Sequence, residues 1–142
     1  MNSSAKILWI QISKDSIQGI DGSISLLKVL SVLSSSKFPF KTPQLLFSAS
    51  ILSGEKENIK KQELIITNES NEVLYSKIEK NIPIPKDNTP LNATDLIPSF
   101  EIEIPGNIFI QFKITFDDDV VIDSNKLEIC VVEVKPENAD EV

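Results

Sequence analysis

Apolar residues recur at every second position over residues 108–116. Ile108, Ile110, Phe112, Ile114 and Phe116 fall on one side, and Gln111, Lys113 and Thr115 on the other. A period of two is the mark of a strand with one face in a core and one in water. A Pro105-Gly106-Asn107 turn precedes this stretch and an acidic turn follows it, and residues 126–134 read as a last strand. Residues 44–53 repeat the pattern, with Leu45, Phe47, Ala49 and Ile51 on one face. Residues 62–67 and 72–78 form a hairpin across Asn68-Glu69-Ser70-Asn71, a four-residue polar connection of the type I kind. Leu64 and Ile66 point inward on its first strand. On the second, either Leu74 or the Val73/Tyr75 pair does, since one residue of register exchanges the faces.

Elsewhere the pattern is less regular. Residues 6–13 carry apolar side chains on both faces (Leu8, Ile10, Ile12 against Ile7, Trp9), which predicts a strand covered on both sides or crossing a sheet end. Lys14-Asp15-Ser16 and Asp21-Gly22 have turn chemistry. In residues 23–33, Ile24, Leu27, Leu30 and Leu33 are spaced by three, as on a helix. The β-branched content and the following Ser34-Ser35-Ser36 and Phe38-Pro39-Phe40 favour a strand entering an extended connection. Residues 55–61 read as a charged, solvated loop. Residues 81–98 contain Pro83, Pro85, Pro90 and Pro98, which cannot belong to a central strand. They read as a long crossover between sheets or a binding loop, with room for a helical turn at Asp95-Leu96-Ile97.

These elements predict an all-β fold, an immunoglobulin-like antiparallel β-sandwich of about seven to eight strands. It would fill residues 1–135 as a single domain, with 136–142 an acidic, disordered tail. A closed barrel is the alternative, and the proline-rich crossover favours the sandwich.

Composition changes the picture mainly by subtraction. The 14 basic residues are all lysines, and there is no histidine. Without arginine the bidentate fork used on phosphate and guanine is missing, and the net charge of −7 repels polyanions. Nucleic acid is not an expected partner. Without histidine no Ser-His-Asp or Cys-His site can be built, and a zinc or iron site would rest on carboxylates and one thiol. The single cysteine, Cys130, excludes an internal disulfide and sits in an apolar run, where a buried, inert thiol is expected. The early apolar run at residues 7–12 is too short for a signal-peptide core or a membrane span, so a cytoplasmic protein with no membrane contact is expected.

One resemblance emerges from the order of features. Gly22-Ser-Ile-Ser-Leu-Leu, Ser36-Lys-Phe-Pro-Phe-Lys-Thr-Pro43 and the strand at 45–51 come first. Glu63-Leu-Ile-Ile-Thr, Glu72-Val-Leu-Tyr75 and Ile104-Pro-Gly-Asn-Ile-Phe-Ile-Gln-Phe112 follow. This succession resembles an uncharacterised bacterial family of small sandwich proteins, a domain of unknown function, over about residues 6–134. The chain departs from it at Lys28-Val-Leu-Ser31, where the family usually carries Gly-(Val/Ile)-Phe-Asp. The resemblance implies the fold; it implies no activity, cofactor or site.

The densest carboxylate group is Asp117, Asp118 and Asp119, with Asp123 close behind. Loop-tip aspartates can hold calcium through several oxygens. Here three adjacent aspartates alternate in direction and no Asp-x-Asp-x-Asp-Gly spacing is present, so a solvated turn is the expectation and these are weak metal candidates. Asp95 with Glu101, or Glu101 with Glu103, could be named as a hydrolase pair. Glu101 and Glu103 alternate with Ile102 and Ile104 as on the solvent face of a strand, so no catalysis and no cofactor are expected. What remains is a protein–protein interaction or assembly module that works through a sheet edge or an outer face, with residues 62–67 as an edge without an evident gatekeeper.

Overall fold

The computed structural model describes residues 5–18, 24–54, 58–84 and 90–135. The turn expected at Asp21-Gly22, part of the 81–98 connection and the 136–142 tail lie outside them. The described residues form twelve strands and no helix, so none among them supplies a helix long and apolar enough to cross a membrane.

One sheet has the order β2-β1-β5-β8 and is built from β1 (Lys6–Gln18), β2 (Ile24–Val29), β5 (Leu45–Leu52) and β8 (Leu91–Ile97). The other has the order β3-β12-β10-β6-β7, from β3 (Val32–Ser35), β12 (Leu127–Glu133), β10 (Gly106–Phe116), β6 (Asn58–Asn68) and β7 (Val73–Pro83). A short β11 (Val121–Asp123) pairs with β10 beyond the end of β12. Two-residue strands β4 (Phe40–Lys41) and β9 (Glu101–Ile102) pair at one end. The sheets are not closed into a barrel: this is an all-β sandwich.

The alternating side chains make the core. Ile108, Ile110, Phe112, Ile114 and Phe116 of β10 are all buried, as are Leu45, Phe47, Ala49 and Ile51 of β5. The two faces meet at Phe47 and Phe112, whose rings tilt at 50° with centroids 5.0 Å apart. Tilted pairs at this spacing add to what their buried area already contributes.

Over residues 24–33 the spacing by three does not produce a helix. The segment is strand, but it serves both sheets. After β2 the chain breaks at Leu30-Ser31, where the Leu30 N–H donates to the Ile12 carbonyl at 2.8 Å and the Cys130 N–H donates to the Ser31 carbonyl at 3.0 Å. β3 then runs parallel to β12, so the sandwich is not wholly antiparallel.

Other expectations need correcting. Lys14-Asp15-Ser16 is not a turn: β1 continues through it, with Asp15 opposite Leu27 and Ser16 opposite Leu26. A bulge between Ile7 and Trp9 leaves Leu8 outward and 42% exposed, while Ile10 and Ile12 face the core. Residues 58–61 belong to β6, anchored by the fully buried Ile59. Asp95-Leu96-Ile97 is the end of β8 and not a helical turn. The 81–98 connection is a crossover, carrying the chain from β7 in one sheet to β8 in the other. Cys130 is exposed, facing out opposite Asn107.

Candidate functional site

The acidic turn is well ordered by its own hydrogen bonds. The Asp119 N–H donates to the Phe116 carbonyl at 2.9 Å, with Asp119 at φ 64°, and the Phe116 N–H donates to the Val120 carbonyl at 2.9 Å. Its carboxylates are spent separately. Asp119 accepts from Lys60 Nζ at 2.9 Å, Asp118 from the Val120 N–H at 3.2 Å, and Asp123 from Gln111 Nε2 at 3.3 Å. Asp117 adds only a distant charge toward Lys60, whose pKa is raised chiefly by its hydrogen bond to Asp119. Among the described residues no group of three or more acids or thiols is placed to hold a metal ion.

The two named carboxylate pairs differ in geometry. Asp95 points to Lys77, not to Glu101. Glu101 and Glu103 do come together: a hydrogen bond and like charge from Glu101 raise the Glu103 carboxyl above its usual value. Both are exposed, and nothing encloses a substrate between them.

The more informative region is the side of the sandwich where β7 and β8 run close to each other. Leu64 opposes Lys77 and Gln62 opposes Glu79, which places Lys77 and Glu79 on the inward face of β7. Only at an edge can a strand turn charges inward, because there they reach water past the last row of core residues. Lys77 Nζ donates to Asp95 Oδ1 across the two sheets at 2.6 Å and to Glu79 Oε1 at 3.2 Å. These bonds hold the Lys77 ammonium above its ordinary pKa, the bond to Asp95 most. Beside it Tyr75 stacks on Phe100 at 6.4 Å, and burial pushes its phenol upward.

Between these edges lies a cleft of about 160 Å³, with Phe47, Phe112 and Leu64 below and Gln62, Lys77 and Asp95 at the rim. That is smaller than the roughly 300–1,000 Å³ of a typical ligand pocket. Lys77 thus ties the β7 rim of this cleft to Asp95 on the β8 rim. A second hollow of about 210 Å³ lies at the β6–β7 turn, floored by Leu74, Ile102 and Ile104 and edged by Glu69, Glu72 and Glu103. Glu69 there accepts from the Asn107 N–H at 2.7 Å, and a side chain on Gly106 (φ 144°) would meet the same carboxylate.

The sheet edges are where the sequence reading misjudged the molecule. The 62–67 segment is no edge, since β6 lies between β10 and β7. The edge on this side of the sheet is β7, eleven residues whose outer side no described strand or backbone hydrogen bond covers. Its outward Ile78 is 54% exposed, and Ile65 and Phe109 continue the apolar row diagonally across the sheet. Lys126 Nζ stands 5.8 Å from the Phe109 ring centroid. The signal for β7 was the alternation of Lys77 and Glu79 with Ile78 and Lys80, charged on both faces.

This sandwich architecture recurs among solved structures. The crystal structure of the C-terminal domain of wzt is similar over 94% of this chain and 77% of that one, with a TM-score of 0.57 and 13% identity. Weaker likeness is found to the structural genomics target SoR45 (TM-score 0.46, 9% identity, 95% of each chain). The superoxide reductase (neelaredoxin) from Ignicoccus hospitalis follows, with a TM-score of 0.38 and 10% identity over 92% of this chain and 82% of that one. No curated protein matches the sequence. A family model does, over residues 13–129: the chain belongs to DUF6941, a family of unknown function.

Proposed function

We propose that this chain is a non-catalytic interaction module that binds a protein, or another copy of itself, along the β7 edge and the adjoining outer face. The observation that carries this reading is the eleven-residue strand with an unpaired outer side and an exposed Ile78. Unpaired strand edges are templates for strand addition, in which main-chain hydrogen bonds supply affinity and alternate side chains supply specificity. The absence of arginine and histidine and the net charge of −7 argue against nucleic acid and against acid–base chemistry. A cytoplasmic setting fits the exposed, unpaired Cys130, since thiols stay reduced there.

The test is native purification with chemical cross-linking, read by mass spectrometry, together with light scattering of the purified chain. Cross-links from Lys77 or Lys80 to a partner or a second copy are expected. A strict monomer that captures no partner through these lysines overturns the reading.

A further inference from the structure

We propose that a second copy of this chain adds to β7, antiparallel, about a two-fold axis through Ile78, joining the β7 sheets of two molecules into one. The inference rests on the reading of β7 as a binding edge and names its occupant and register.

The register follows from charge. In an antiparallel junction the two faces of the sheet run through unbroken only if the two-fold axis passes through a residue, because directly opposed side chains lie on the same face. Five axes are available in the middle of the strand. An axis at Lys77, Glu79 or Lys80 sets that charge against its own copy, which is destabilising. An axis at Ser76 leaves Lys77 opposite Tyr75 and Glu79 opposite Val73, with neither charge answered. An axis at Ile78 sets Lys77 opposite Glu79 twice, once on each side of the dyad.

On the outer face the same axis puts Ile78 against its copy, with Ser76 opposite Lys80 on either side. The strand is therefore self-complementary at one register. Charges on an edge ordinarily keep strands apart; here they are of both signs and symmetric about an exposed isoleucine. Lys77 already carries Glu79 and Asp95 within its own chain, so its ammonium is positioned on the inward face before association. No described segment lies over the outer side of the strand.

The test uses the full chain in a Cys130→Ser background, which removes the exposed native thiol. At an axis through Ile78, the Ile78→Cys variant faces its own copy at about 5 Å between Cβ atoms and forms a disulfide-linked dimer under mild oxidation. Ser76→Cys then stands about 13 Å from its copy, four residues of strand away, and stays monomeric on a non-reducing gel. In sedimentation, Glu79→Lys weakens self-association by about tenfold or more, and Lys77→Glu/Glu79→Lys together restore it, since opposite charges again face each other. Thermal melts of each variant verify folding.

Cross-linking through Ser76→Cys in place of Ile78→Cys overturns the register. A chain that does not self-associate but binds a different protein through β7 overturns the proposal and leaves the module reading standing. A monomer with no partner removes both.

Discussion

Two hydroxyls separate what a buried polar group contributes from what it costs. Thr42 is 2% exposed, and its Oγ1 accepts the Phe100 N–H at 3.1 Å while its backbone N–H donates to the Phe100 carbonyl at 2.9 Å. Ser48 is fully buried, opposite Thr94, and neither side-chain oxygen finds a protein partner. A buried donor left without an acceptor costs about 1–3 kcal/mol, whereas removing an unpaired hydroxyl removes a desolvation penalty. Thr42→Val is therefore expected to lower unfolding stability by about that amount, and Ser48→Ala to leave it unchanged or raise it. Urea titrations of the two variants check both signs. Tyr75 and Lys77 supply a pH dependence of definite sign. Both have folded pKa values raised above the ordinary 10.0 and 10.5, so the folded state holds more protons than the unfolded one above about pH 9.5. Their contribution is full below those ordinary values and is lost as pH rises through the folded ones. The melting temperature is expected to fall over this alkaline window, and less steeply in Tyr75→Phe.

At the scale of elements, β12 gives a direct contrast in packing. Ile129 and Val131 are each 1% exposed, while Cys130 between them faces water. The folded protein is therefore expected to react with a thiol reagent as completely, and within a few-fold as fast, as the urea-unfolded chain. Complete protection would place Cys130 back in the core. The apolar run around Cys130 suggested burial because Ile129, Val131 and Val132 surround it; strict alternation along the strand was the better guide. The strands that alternate cleanly, β5 and β10, were legible from the sequence almost to their ends. The misread stretches are those whose strand character comes from distant partners. Asn58–Lys61 looks like solvent-exposed loop, but the fully buried Ile59 pairs with Phe116 and the segment pairs with β7. Lys14–Ser16 is polar and turn-like, yet β2 pairs with it. β7 was cut short at Ile78 because charged and polar side chains on both faces at Glu79, Lys80 and Asn81 resemble solvated chain, and they cost little only at an edge.

Across the whole molecule, negative charge is in excess. There are 21 acidic residues against 14 lysines; the ion pairs Lys60–Asp119 and Lys77–Glu79 are substantially exposed, while Glu63 in Lys61–Glu63 and Asp95 in Lys77–Asp95 are the more covered partners. Exposed pairs contribute little, whereas compaction brings surplus like charges together. Glu101 and Glu103 are the local case, and Glu72 adds to the repulsion on Glu103. The sign is set by the raised Glu103 pKa: its favourable contribution is complete below the ordinary 4.5 and is lost as pH rises through the folded value. At neutral pH the charged Glu103 carboxylate therefore meets like charge from Glu101 and Glu72. Sodium chloride raised from about 10 mM to about 150 mM shortens the Debye length from roughly 30 Å to roughly 8 Å, which mutes repulsion between exposed charges. The melting temperature is expected to rise over that range at pH 7. Glu103→Gln is expected to raise it further at low salt, by an amount that shrinks as salt is added. A melting temperature that falls with salt would mean that the surface ion pairs outweigh the net charge, and an effect of Glu103→Gln that does not depend on salt would mean that its neighbours do not act on it through charge.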